Sequence, residues 1–161
     1  MKKNPLDPHD APTNARPTLK NRRKSNEPEM LSRNVEITGL STTVRLNAVH
    51  HKGAEHYVES QPWLELRGRA TEPVNGVTDV KISMWLRETP NVGTARPASV
   101  GAVLGAKPEL SFGLSWLPDA FDRVWVLALS GHLKFAHVYF TKPHYNSGLV
   151  VSASFANELE E

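Results

Sequence analysis

Between Trp63 and Glu88 the chain reads WLELRGRATEPVNGVTDVKISMWLRE, with apolar residues at every second position on both sides of a central turn. Side chains alternate faces along a β-strand but recur every 3.6 residues along a helix. The period therefore excludes an amphipathic helix here and predicts two half-buried strands. Leu64, Leu66, Gly68 and Ala70 share one face of the first, against Glu65, Arg67, Arg69 and Thr71. Val80, Ile82, Met84 and Leu86 share the inward face of the second, leaving Lys81, Ser83, Trp85 and Arg87 outward. The intervening EPVNG carries turn chemistry, so the two strands form a hairpin.

The same alternation continues on both sides. VEITGL places Val35 and Ile37 on one face, and TVRLNAV does so for Val44, Leu46 and Ala48. HHKGAE reads as a turn leading into HYVES, and Pro62 breaks the ladder, which suits an edge or a bulge. ELSFGLSW aligns Leu110, Phe112, Leu114 and Trp116, while LKFAHVYFT and LVVSASF read as two strands joined by KPHYNSG. The stretch around residues 89–108 is rich in Gly, Pro and small residues, which predicts a long irregular connection with one short strand at VGAVL.

One segment departs from the two-residue period. Phe121, Val124, Trp125, Ala128 and Leu129 fall at the spacing of an amphipathic helix. Pro118 and Asp119 suit a helix start and Gly131 a helix end, so a helix is expected over about 119–130. The later strand carries Phe135, His137 and Tyr139 on one face and Ala136, Val138 and Phe140 on the other. Two apolar faces predict a strand central to a sandwich, or one covered by another subunit. The expected architecture is a mainly β fold: an antiparallel β-sandwich of about seven or eight strands with one short helix.

Composition matters most at the amino-terminal end. Residues 1–33 hold eight Lys/Arg against four Asp/Glu, five of the twelve prolines and no aromatic residue. Such a segment buries too little apolar area to offset its ordering entropy, so a disordered basic tail is expected over 1–33, followed by a single domain over 34–161. The remainder holds eleven Lys/Arg against thirteen Asp/Glu. That near-neutral balance argues against a broad basic footprint on the folded part. MKKNPLDPHD has no apolar run behind its lysines and does not read as a secretory signal. No window approaches the ~18 apolar residues of a membrane span, and a cytoplasmic location is expected.

Candidate chemistry is sparse. With no cysteine there is neither a thiol nucleophile nor a thiolate metal site. His50, His51 and His56 cluster around the first turn, but no Asp/Glu pattern completes a ligand set, and no metal or cofactor is expected. His132 suits a helix carboxyl end, and His137 reads as a hydrogen-bonded core histidine. No G-x-S-x-G, phosphate loop or dinucleotide fingerprint occurs, so catalysis is not expected.

Three kinds of partner follow. The first reading is a non-catalytic protein–protein interaction module, self-associating or binding another protein, with Trp85, Arg87, Lys142, His144 and Tyr145 as contact residues. The second is a nucleic-acid-associated protein whose tail residues Lys20, Arg22, Arg23 and Lys24 touch phosphates. The third is a small-ligand or carbohydrate binder using the 89–108 and 142–148 loops.

Overall fold

In a computed structural model of the protein, residues 27–49, 57–86 and 99–159 are described. They form seven strands and one helix: β1 (Met30–Val49), β2 (Tyr57–Val74), β3 (Val77–Leu86), β4 (Gly101–Gly105), β5 (Leu110–Trp116), α1 (Pro118–Leu129), β6 (Phe135–Thr141) and β7 (Gly148–Ala156). Around the sheet the order is β1-β2-β3-β5-β4-β7-β6, and β6 returns to β1 to close a barrel. The expected sandwich is thus corrected. The sheet does not split into two layers, because β6 pairs antiparallel with β7 on one side and with Met30–Glu36 of β1 on the other.

Closure also explains the two apolar faces of β6. Ala136, Val138 and Phe140 are fully buried inside, whereas Phe135, His137 and Tyr139 point out and stay partly exposed. His137 is accordingly an outer-face residue and not part of the core. A second departure is the β3–β5 pair, which is parallel from Val80↔Leu110 to Leu86↔Trp116. β5 lies between β3 and β4 in the sheet.

The β2–β3 hairpin forms as its alternation requires. Asn75 and Gly76 both have positive φ, the turn geometry whose twist matches paired strands. The two segments VEITGL and TVRLNAV prove to be one continuous β1, bulged between Ile37 and Gly39. Its start also lies inside the expected tail, since Met30–Arg33 pair with Thr141–Val138 and Leu31 packs against the core. Residues 1–26 lie outside the described residues.

The barrel interior is filled by side chains. Val35, Leu64, Leu66, Met84, Leu110, Phe112, Leu114, Val138, Phe140 and Val150 have no exposed surface, and Phe112 meets Phe140 edge to face with ring centroids 4.9 Å apart. α1 leads from β5 to β6, which β4 and β7 separate on one side, so it crosses an end of the barrel. There Phe121, Val124 and Ala128 join the core, and Trp125 tilts against Phe121. The helix matches its expected span to within one residue, and Gly131 takes its positive φ just past it. Leu129 departs from the expected stripe: it is 59% exposed, while Leu127 packs against the core instead.

Candidate functional site

Two surfaces sit at the end of the barrel that carries α1, on opposite faces of the β1–β2 pair. β6 accompanies β1 only as far as Glu36, so from Gly39 onward β2 is the only described strand beside it. The pair runs on from Val44↔Pro62 to Val49↔Tyr57 as a two-stranded ribbon. Leu40 and Thr42 lie opposite Leu66 and Leu64, which line the barrel interior. Alternation continues that inner face into Val44 and Leu46, past the rim. Leu40, Val44 and Leu46 are 44%, 56% and 69% exposed. Three large aliphatics on one face of a ribbon are more than scattered surface apolarity.

The outer face carries aromatic rings. Trp63 lies opposite Trp85, and their rings stack with centroids 5.4 Å apart and planes 22° from parallel. Trp85 also rests on Gly113 of β5, where a Cβ would meet Trp85 Cη2 at 2.9 Å and Leu104 Cδ1 at 2.8 Å. The absence of a side chain at Gly113 therefore seats Trp85 and Leu104. Trp85 is outward, as the alternation predicts, and its neighbours Trp63 and Leu104 cover it in part. Across β1 the position opposite Trp63 is Thr43, small and exposed, and Trp63 remains 41% exposed.

Below the rings is a charged cluster. Glu65 Oε2 accepts a bond from Lys81 Nζ at 2.9 Å, and Glu65 Oε1 accepts one from Arg67 at 3.1 Å. The Lys81 ammonium is the main reason that the Glu65 carboxyl titrates below the usual glutamate range, with Arg67 adding to it against partial desolvation. A carboxyl whose folded pKa is depressed stabilises the fold above its unfolded pKa and loses that contribution as pH falls through the folded one. Glu65→Gln should therefore cost about 0.5–1 kcal/mol near neutral pH. In urea titrations the gap between the two proteins should narrow below about pH 4.5, the ordinary glutamate value. A gap that stays constant down to acid pH would remove the ion-pair account.

The residues singled out in the sequence do not converge. Lys142, His144 and Tyr145 stand at the β6–β7 turn, at the other end of the barrel from Trp85. Lys142 is occupied: its ammonium pairs with Glu29 at 2.8 Å and its backbone N–H donates to the Glu29 carbonyl. The turn itself is tight, with Tyr145 and Asn146 at positive φ and the His144 ring edge-on to Tyr145. Lys142, His144 and Tyr145 are all exposed there, Tyr145 at 92%. Arg87, the tail residues Lys20, Arg22, Arg23 and Lys24, and the trio His50, His51 and His56 lie outside the described residues, as does 89–98 of the expected binding loop.

A groove of about 260 Å³ opens beside β6, lined by Asn34, Phe135, His137 and Ser154 with Glu158 and Leu159. It falls below the ~300 Å³ at which small-molecule pockets begin. Next to it His137 Nε2 and Ser32 Oγ share a hydrogen bond of 2.6 Å. Both residues lie within the β1–β6 ladder, Ser32 opposite Tyr139 and His137 opposite Asn34. Among the described residues no group of three or more His, Cys, Asp or Glu side chains could hold a metal ion. None of the described helices is long and apolar enough to cross a membrane.

The class defined by these features is a side-chain-filled seven-stranded barrel with a helix across one end and a projecting ribbon. No protein-family model, curated protein or solved structure matches the chain.

Proposed function

We propose that the protein is a non-catalytic interaction module that pairs with a second copy of itself through the β1–β2 ribbon. The observation that carries this reading is the outer part of β1. Residues 39–49, GLSTTVRLNAV, form a strand edge without a described partner and carry a single charge, Arg45. Exposed edges are ordinarily blunted by charge, proline or covering loops, and this stretch has one cation and no proline. Two such edges meeting antiparallel about a two-fold axis would extend the ladder into four strands. The pairing also keeps Leu40, Val44 and Leu46 of both copies on one face, where they close over each other. A two-stranded ribbon is marginal in water by itself, so the second copy stabilises what the first projects.

Size-exclusion chromatography with light scattering on the full chain tests it. The wild type is expected to run as a dimer. Val44→Glu combined with Leu46→Glu should weaken association at least tenfold, since each buries a carboxylate in an apolar contact. Both residues lie beyond the barrel rim, so the circular dichroism spectrum should be unchanged. A wild type that stays monomeric at every attainable concentration would end this reading.

A further inference from the structure

We propose that the outer face of the same ribbon binds single-stranded nucleic acid, with one base stacked on the open face of Trp63. The large side chains on this face form a row: Leu104 and Trp85 rest over Gly113, and the Trp63 ring stacks on that of Trp85. The row then stops, because the next position across is Thr43. One face of the Trp63 indole is covered by Trp85 and the other looks over a small polar side chain. A third flat ring continues the stack, and every nucleobase has such a face.

Charge favours the same ligand. The outward β1 positions flanking the open indole are Ser41, Thr43 and Arg45, and Arg45 has no ion pair among the described residues. Beside Trp63 on β2, Glu65 is already neutralised by Lys81 and Arg67, while Glu59 takes an outward register position opposite Asn47. Farther along the face, Arg69 and Asp79 approach to 3.8 Å, and Glu36 lies opposite Arg69. By register, the outward positions around the open ring hold Arg45, Arg67 and Lys81 against Glu59 and Glu65, an excess of one cation, and the basic residues Lys20, Arg22, Arg23 and Lys24 belong to the same chain. A strand whose base sits on Trp63 would set its phosphates against Arg45. This site uses the face of the ribbon opposite Val44 and Leu46, so it stands or falls separately from self-association.

The test is fluorescence anisotropy of a labelled oligo(dT) with the full chain at low and moderate salt, and a parallel tryptophan-fluorescence titration with a gluco-oligosaccharide. Binding to oligo(dT) should weaken as salt rises. Trp63→Ala should lower affinity about tenfold, and Trp63→Phe, which keeps a ring, should retain most of it. Arg45→Glu should weaken binding and flatten its salt dependence, and it serves as the test should Trp63→Ala fail to fold. Three results would overturn the proposal. The first is no binding of oligo(dT) by the wild type. The second is affinity that survives Trp63→Ala and Arg45→Glu but vanishes when Lys20, Arg22, Arg23 and Lys24 are all changed to Glu, which assigns it to the tail. The third is a response to the sugar alone.

Discussion

Phe112→Ala is expected to destabilise the protein by about 3–5 kcal/mol, the usual cost of removing a buried phenyl ring. Phe112 has no exposed surface, and its ring packs edge to face on Phe140 across the barrel, with planes 72° apart. That geometry adds to the burial of the two rings. Phe112 has strand neighbours on both sides, Ile82 on β3 and Val103 on β4. A closed barrel pairs each strand with two others, so its walls are poorly placed to collapse inward, and a large cavity remains after truncation. Equilibrium unfolding in urea should show the loss as a lower midpoint with little change in slope. Leu129→Ala makes the informative control. Its helical spacing predicts burial, whereas the structure leaves it 59% exposed at the end of α1. Its loss should stay within about 0.5 kcal/mol. Comparable costs at the two positions would mean that the interior has been misassigned.

Phe112 and Leu129 differ in what decides their burial. Periodicity gave the strands, their inward faces and the helix, because each of these is decided by a residue's immediate neighbours. Leu129 fell outside the stripe because α1 crosses a barrel mouth. The arc in contact is rotated toward the Val124 side of the helix, so Leu127 packs against the core while Leu129 on the other side does not. Closure was not legible for a similar reason. That β6 must have β1 beside it depends on a pairing between Met30 and Thr141, residues more than a hundred positions apart. No local pattern carries that pairing, and the two apolar faces of β6 fit a sandwich equally well.

The aromatic row was hidden by a register shift. The Asn75–Gly76 turn sets Val74 opposite Val77, and an unbroken ladder from there would place Trp63 opposite Glu88. Pairing slips between Arg69 and Val74, and the slip brings Trp63 opposite Trp85. Trp85 could be read as outward from alternation alone, but its partner could not. The ribbon was obscured differently. Val44 and Leu46 alternate as a half-buried strand should, and only the limits of β6 and β3 show that the buried side has run out of barrel. The Lys142–Glu29 pair joins residues more than a hundred positions apart, so no local pattern carries it.

Two glycines on facing strands give the second large effect, and they behave oppositely. Gly68 faces the barrel interior, and a Cβ built there would run into the Glu36 carbonyl oxygen while also meeting Val35 Cγ1 at 2.8 Å. The carbonyl belongs to the backbone of β1 beside the Ile37/Gly39 bulge, where the strand bends over β2. A flexible side chain could swing aside; a paired backbone cannot move without breaking its ladder. Gly68→Val should therefore cost about 3 kcal/mol, at the upper end of ordinary overpacking. Gly39, in the bulge itself, looks equally special in sequence. A Cβ at Gly39 meets only Arg67 Cβ at 3.6 Å, an ordinary contact, and its φ is not in the left-handed region. Gly39→Ala should thus be neutral, or stabilise by a few tenths of a kcal/mol through the lost freedom of the unfolded chain. Thermal unfolding of the two variants separates the cases directly. A Gly68→Val protein that melts with the wild type would mean that β1 does not cross β2 at this distance, and the bend that turns β1 from barrel wall into ribbon would lose its basis.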